Sequence, residues 1–283
     1  TRRSSDLGVF KDAAAFAAGD LTLIHNVCNA NVQAHKELVG LYAADISGTA
    51  DISTLPNLST LEAHYCSAVI GQDAGALGNY LYLTSGKSVT VLGAMLGAVA
   101  KAKVSQSIAW VAQFNISNGQ ECDSIAFANG KKFTDPTVTD SLLSTLQSYA
   151  YTFLRKFVGV AGSYFNENRT AIAANSDYAY ISDNRVMQKA TRGMYASLIP
   201  ALNSPITLNS DGTLSDEAVA YFTGLAEIPL IQMIRDGELS AQQVLIDPAQ
   251  NVLQTGILTV SASLVQVATA RNIIVNIGYK VAI

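Results

Sequence analysis

Ile257-Leu258-Thr259-Val260-Ser261-Ala262-Ser263-Leu264 alternates without a break. Leu258, Val260, Ala262 and Leu264 fall on one face and Thr259, Ser261 and Ser263 on the other, the period of a half-buried strand. Gly256 opens the run. Ala268-Thr269-Ala270-Arg271 separates it from a second apolar run, in which Ile273, Val275, Ile277 and Tyr279 share a face with Asn276 and Gly278 opposite. A third run, residues 239–246, precedes them and is stopped by Asp247-Pro248. The last hundred residues therefore predict a helix, a turn, a second helical region and three strands running to the chain end. Such an ending leaves a sheet edge open for another chain to pair with.

The helices before these strands carry their own punctuation. Ser182 is the candidate N-cap of the first, with Asp183 in its first turn and Val186, Ala190, Met194 and Leu198 at helical spacing. Thr213 with Asp216 three residues on has the form of a capping box, followed by Val219, Phe222 and Leu225. Pro229 predicts a kink or a restart in this second helix, and Gly237 its stop.

Several short sequences occur in one order: Asp183-Asn184-Arg185-Val186, Leu202-Asn203-Ser204-Pro205, Asp236-Gly237-Glu238-Leu239, Asp247-Pro248-Ala249-Gln250-Asn251, Gly256-Ile257-Leu258-Thr259-Val260 and a closing Ile-rich run. This order resembles the carboxy-terminal domain of contractile-tail sheath proteins of bacteriophages and related injection machines. Gly71-Gln72-Asp73, the Gly- and Ala-rich stretch around Gly93 and Ser107-Ile108-Ala109-Trp110 extend the resemblance into the middle. The resemblance implies a self-assembling subunit, a helical homo-oligomer stacked in rings around an inner tail tube protein, with baseplate or terminator proteins at its ends. It implies neither enzyme activity nor a cofactor, and terminal arms that donate strands to neighbours. The residues expected in subunit-to-subunit strand pairing are Ile273, Val275, Ile277 and Tyr279, with Leu7 and Val9 in the amino-terminal segment that pairs with them. Arg235 and Asp236 are the expected tube contact. The implied setting is a virion tail or a cytoplasmic assembly in a bacterial host.

The totals fit a chain that buries surface against copies of itself. Of 283 residues, 49% are apolar and 14% charged. That charge is low for the surface of a small monomer, so either the core is large or much surface is buried between subunits; the second is favoured. The net charge is −4 and basic residues form no cluster, which argues against nucleic acid as a partner. Residues 89–100 are too short an apolar run to span a membrane. Arg2-Arg3 is followed by polar residues, so no secretory signal is expected. Thr1 in place of Met fits a processed form or a fragment.

From the amino terminus, residues 11–18 read as helix, 21–27 as strand, 32–43 as helix and 46–56 as loop. Further on, 58–66 reads as helix, 68–71 as strand, 88–103 as a helix capped by Ser88, 108–114 as strand, a helix starts near Pro136, and 157–161 reads as strand. Residues 163–180 are polar and read as a connection. The fold class is α+β (mixed α/β): an amino-terminal arm with helices (1–57), an α/β middle domain (58–180), and a carboxy-terminal helix-and-sheet domain (181–283) ending in edge strands.

Candidate chemistry is sparse. Ser85-Gly86-Lys87-Ser88 has Leu81 where a phosphate loop needs its first Gly. His25, His35 and His64 lack metal-ligand spacing, and Cys28, Cys66 and Cys122 read as buried small hydrophobes. Gly93 and Gly97 predict close approach of a helix to a sheet. The alternative to a sheath subunit is an α/β enzyme with its active site in the middle domain, and a further one is a non-contractile capsid or tube component.

Overall fold

The chain enters as strand β1 (Ser5–Ala15), passes through helix α1 (Ala18–Gln33) and returns as strand β2 (Leu38–Asp45), which pairs with β1 in parallel. The structure, a computed structural model, describes residues 5–279. Next come β3 (Cys66–Val69), β4 (Gly71–Asp73), α2 (Leu77–Ser85), α3 (Leu92–Lys101), β5 (Ile125–Phe127), α4 (Asp140–Ser148) and β6 (Tyr151–Thr152). One sheet runs in the order β1-β2-β3-β6, with every pairing parallel, so strands from residues 5–45 and 66–152 share it. Among the described residues, no helix is long and apolar enough to cross a membrane.

Strand β2 is covered on both faces. Tyr42 and Ala44 join a core with Leu21 of α1, Ala68 and Tyr151, while Leu41 and Ala43 join a second core with Leu92, Met95 and Val99 of α3. Gly40 lets α1 lie against the sheet: a Cβ there would fall 2.4 Å from Ile24 Cγ2. Asp20, in the first turn of α1, ties the layers by accepting from Lys11 Nζ at 2.7 Å and from the Tyr42 hydroxyl at 2.6 Å.

The second half opens with the hairpin β7 (Leu154–Phe157) and β8 (Val160–Phe165). Then come α5 (Ile181–Leu198), α6 (Asp216–Arg235), β9 (Leu239–Leu245), the short α7 (Val252–Thr255) and β10 (Ser261–Gln266). Helices α5 and α6 pack closely at Gly193, whose Cβ position lies 2.7 Å from Pro229 Cβ. That bare glycine leaves room for the proline ring, and of the expected kink or restart at Pro229 the restart does not occur, since α6 continues as one helix.

Several local expectations are corrected. Residues 11–15 are strand, 21–27 are helix, and 38–43 are strand. A strand buried on both faces shows no alternation, so its apolar run is indistinguishable by period from a buried helix. Residues 58–66 form a single 3-10 turn (Leu58–Thr60) before β3, and 108–114 is a series of turns in which Phe114 N–H donates to Trp110 O. Residues 157–161 turn through exposed Val158 and Gly159 (φ 79°). Ser88 caps no helix. Its hydroxyl is buried, donating to Ala128 O at 2.5 Å and accepting from Ile46 N–H at 2.8 Å, while α3 starts at Leu92. Gly93 and Gly97 face open space; Leu92, Met95 and Val99 make the contact with the sheet instead. Tyr180 and Ser215 hold the N-cap positions of α5 and α6 in place of Ser182 and Thr213.

This packing can be tested at two points. Gly40→Ala drives a methyl into Ile24 and is expected to cost ~1–3 kcal/mol by overpacking, with partial recovery in Gly40→Ala/Ile24→Ala, measured by urea unfolding. His64 meets His25 edge to face at 4.7 Å and Tyr178 at 4.8 Å. Desolvation, and then the neighbouring His25, hold the His64 pKa at about 4, below the ordinary 6.5. The fold therefore prefers the neutral ring. This contribution is fully present above pH 6.5 and is lost as pH falls towards 4, because the unfolded chain takes up the proton first. The loss is expected to be about 1 kcal/mol for a half-exposed ring, and His64→Gln is expected to flatten the dependence of the urea midpoint across that range.

Candidate subunit-linking surface

Strands β9 and β10 make a two-stranded antiparallel sheet, pairing Ser261 with Leu245 through Val265 with Ala241. Val244, Ala262 and Leu264 turn inward onto Val186, Leu230 and Met233 of α5 and α6. The alternation of residues 258–264 is thus realised, with Leu258 and Val260 half-buried ahead of the ladder. Both outer edges of this sheet lack a strand partner among the described residues. Residues 257–260 have no strand beside them either. Instead the Gln250 side chain pairs with Thr259 in the manner of a backbone: its Oε1 accepts from Thr259 N–H at 2.6 Å and its Nε2 donates to Thr259 O at 3.0 Å.

Beyond β10 the chain leaves the body. Residues 267–279 belong to no strand, and Ile273, Val275, Ile277 and Tyr279 are 76%, 72%, 92% and 108% exposed. The strand expected there is not formed among the described residues, because a strand needs a partner ladder to satisfy its backbone and none of the described strands pairs with it. Leu7 and Val9 lie opposite Gly40 and Tyr42 in β1. Their ladder is to β2 of the same chain rather than to the terminal run, and β1 is the outermost strand of its sheet, leaving one edge without a strand partner among the described residues. Arg235 and Asp236 sit exposed at the end of α6, where Gln232 Nε2 donates to Asp236 Oδ1 at 2.9 Å; Gly237 (φ 70°) then turns the chain into β9. These groups are on separate elements.

Residues 163–180, expected as a polar connection, are built into the fold. Glu167, Asn168, Arg169 and Thr170 are buried. Thr170 Oγ1 donates to Tyr178 O at 2.6 Å, and Ile181 N–H donates to Asn168 O at 2.9 Å. Onto this segment Arg271 returns from the root of the tail. Its Nε lies 3.2 Å from Glu167 Oε2, and its guanidinium stacks 3.4 Å from the centre of the Tyr180 ring. Sequence reasoning missed Arg271, Glu167 and Tyr180, since partners so far apart along the chain share no spacing.

The chemistry-bearing motifs are structural here. Gly86 is the left-handed C-cap of α2 (φ 67°), so Ser85-Gly86-Lys87-Ser88 ends a helix where a phosphate loop would begin one. Cys28, Cys66 and Cys122 are buried thiols, and burial pushes Cys28 and Cys122 up to about 11. Among the described residues no His/Cys/Asp/Glu group could hold a metal. A concavity of about 450 Å³ lies in the carboxy-terminal half, walled by apolar groups including Leu198, Leu208, Phe222, Leu258 and Val260. The catalytic alternative expected its pocket in residues 58–180.

Gln250→Ala removes both hydrogen bonds to Thr259. It is expected to cost ~1–2 kcal/mol and to speed amide exchange at Thr259 while leaving β9 and β10 protected, as read by hydrogen exchange.

Among solved structures the fold is shared with chains of contractile injection assemblies. A chain of the anti-feeding prophage baseplate, 6-fold symmetrised, matches with TM-score 0.58 and 13% identity over 93% of this chain and 66% of its own. A chain of the PVC sheath complex in the contracted state matches with TM-score 0.56 and 15% identity over 91% and 68%. The anti-feeding prophage baseplate in the contracted state gives TM-score 0.59 and 15% identity over 94% and 65%. This chain therefore spans about two thirds of the length of the chains it matches. No curated protein sequence matches. The DUF2586 N-terminal domain family covers residues 17–169 and the DUF2586 C-terminal domain family residues 177–283, and with both domains present in order the chain belongs to the DUF2586 family.

Proposed function

We propose that this chain is a structural subunit of a contractile tail sheath, polymerising as helical rings around an inner tube. The observation that carries the reading is the terminal run: Ile273, Val275, Ile277 and Tyr279 stand exposed and unpaired among the described residues, in a chain whose sheets have edges with no described strand partner. An apolar strand left exposed in a monomer is an aggregation hazard, whereas in a polymer it is an adapter. Added to a neighbour's sheet edge, it supplies backbone hydrogen bonds in register, directional and repeated. Head-to-tail links of this kind do not close and so generate a helical filament. The shared fold with baseplate and sheath-complex chains supports a role of this type.

In this reading the tail of one subunit pairs with an open edge of the next, at the outer edge of β9 or β10 or at β1 beside Leu7 and Val9. Contraction is a rigid-body rearrangement of subunits while the strand links hold, so the sheath itself performs no covalent chemistry. Arg235 and Asp236, exposed at the end of α6, are the proposed contact to the inner tube protein. The organisation into 1–57, 58–180 and 181–283 assigns the last segment to that contact and to the links. Baseplate or terminator proteins cap the ends, and the assembly belongs to a virion tail or to the cytoplasm of a bacterial host. An enzyme with its active site in the middle domain is the weaker reading, since the concavity of about 450 Å³ lies in the carboxy-terminal half and its lining is mostly apolar.

Negative-stain electron microscopy of the purified chain at high concentration tests this. Hollow tubes with a helical repeat are the expected result, and removal of residues 272–283 is expected to abolish them with little change in the thermal melting of the body. Tubes formed normally by the truncated chain would rule out strand linking.

A further inference from the structure

The root of the terminal tail is held by side chains that no part of the assembly reading uses. Glu167 is 6% exposed, in the segment that follows β8. Its Oε1 accepts from the Asn168 N–H at 3.1 Å, and its Oε2 faces Arg271 Nε at 3.2 Å. The Arg271 guanidinium lies on Tyr180, 3.4 Å from the ring centre, while Arg169 approaches the same ring at 5.5 Å. Asp183 lies close enough to feel both Arg271 and Glu167, and its Oδ1 accepts from the Ser182 hydroxyl at 3.1 Å. Glu167 falls in the amino-terminal family domain, whereas Tyr180, Asp183 and Arg271 fall in the carboxy-terminal one. The tail therefore crosses the seam between the two domains and is tied down there. The chain is exposed from residue 267 to 279, and within that stretch Arg271 is the residue whose side chain returns to the body.

We propose that Arg271, Glu167 and Tyr180 form a latch that holds the root of the tail across the seam, and so aims residues 272–279 at a second copy of this chain. The inference rests on the strand-linking reading of the tail and adds what positions it. A guanidinium suits this role because it pairs with a carboxylate and stacks on a ring at once, which an ammonium cannot do with the same geometry. Glu167 is buried while the Arg271 side chain is 30% exposed, so the pair is half-sheltered, more so than one between two exposed side chains. The physical gain is pre-organisation. A tail swinging from Gln266 would lose the freedom of every residue beyond β10 on capture, whereas a tail clamped at Arg271 loses only that of the segment past the clamp. Arg271 is thus a positioning residue, and residues 272–279 make the contact.

Two measurements test the latch without reference to polymerisation. Trypsin cleaves the Arg271–Asn272 bond only after taking the Arg271 side chain into its specificity pocket, and a closed latch withholds that side chain. Glu167→Gln and, separately, Tyr180→Leu are expected to speed release of the terminal peptide from dilute protein by about ten-fold or more, with the body intact by mass spectrometry. In the second, the Glu167 carboxyl is followed by NMR titration in wild type and in Arg271→Ala, a change confined to the tail. Burial raises this carboxyl and Arg271 pulls it down, with further lowering from the Asn168 N–H, Arg169 and Ser107; Asp183 and Asp177 lie in the same acidic group. Removing Arg271 is expected to shift its titration to higher pH. Unchanged cleavage in both latch variants, or an unchanged Glu167 titration, would overturn the latch. The sheath reading is decided separately. Loss of tubes on removing residues 272–283 keeps that reading even where the latch fails, and tubes from the truncated chain sink it even where the latch holds.

Discussion

Burial of β2 on both faces is the constraint from which the amino-terminal half is built. A strand with apolar groups up and down needs a helix layer on each side and a strand along each edge. Helices α1 and α3 provide the layers, and β1 and β3 the edges. The parallel pairing of β1 with β2 follows from the α1 crossover between them, since parallel neighbours cannot be joined by a tight turn. Gly40 sets how near α1 can lie. The long excursion between β3 and β6 then carries α3 to the opposite face before the chain rejoins the sheet.

The seam between the halves buries polar groups beside apolar ones such as Ile181 and Ala171, which is costly where the polar groups are unmatched. A buried donor or acceptor left without a partner costs about 1–3 kcal/mol. Here side chains take over the work of a ladder. Asn166 bridges Phe153 N–H and Tyr151 O, Asn184 donates to Tyr178 O and Tyr180 O, and Asn168 Nδ2 reaches Ser182 Oγ at 3.2 Å. Directional bonds of this kind fix how the carboxy-terminal elements sit on the sheet. Arg192 to Glu37 at 3.0 Å and His35 stacked on Tyr195 at 3.8 Å add ties from α5 to the start of β2.

The carboxy-terminal half is a different kind of object. Its two-stranded sheet depends on α5 and α6 for its inner face, because an isolated hairpin is marginal in water. Its edges and the terminal run together leave apolar side chains and unpaired backbone at the surface. In a chain with only 14% charged residues, that surface has little to keep copies apart. The proposed polymer resolves both features at once: each tail covers an edge, and each edge satisfies a tail.

Features that depend on near neighbours could be read from the chain alone. The half-buried alternation of residues 258–264, the run at 239–245, the stop at Gly237 and the helices before them are legible because each obeys a short period or a local cap. The mixed α/β class was legible for the same reason, as was the absence of a phosphate-loop Gly at position 81. Packing between distant segments decided the rest. It made residues 38–43 a strand against their helical appearance, since burial on two faces erases the period that distinguishes the two states, and it made residues 11–15 a strand by pairing β1 with β2. It carried α6 through Pro229 by placing Gly193 opposite, and it turned Ser88 from a cap into a buried tie. It left residues 273–279 unpaired, because a strand is completed by a partner and the sequence of one chain cannot state whose edge it will meet. The junction of Arg271 with Glu167 and Tyr180 had no sequence signature at all: it exists only because folding brings the tail root back to the seam.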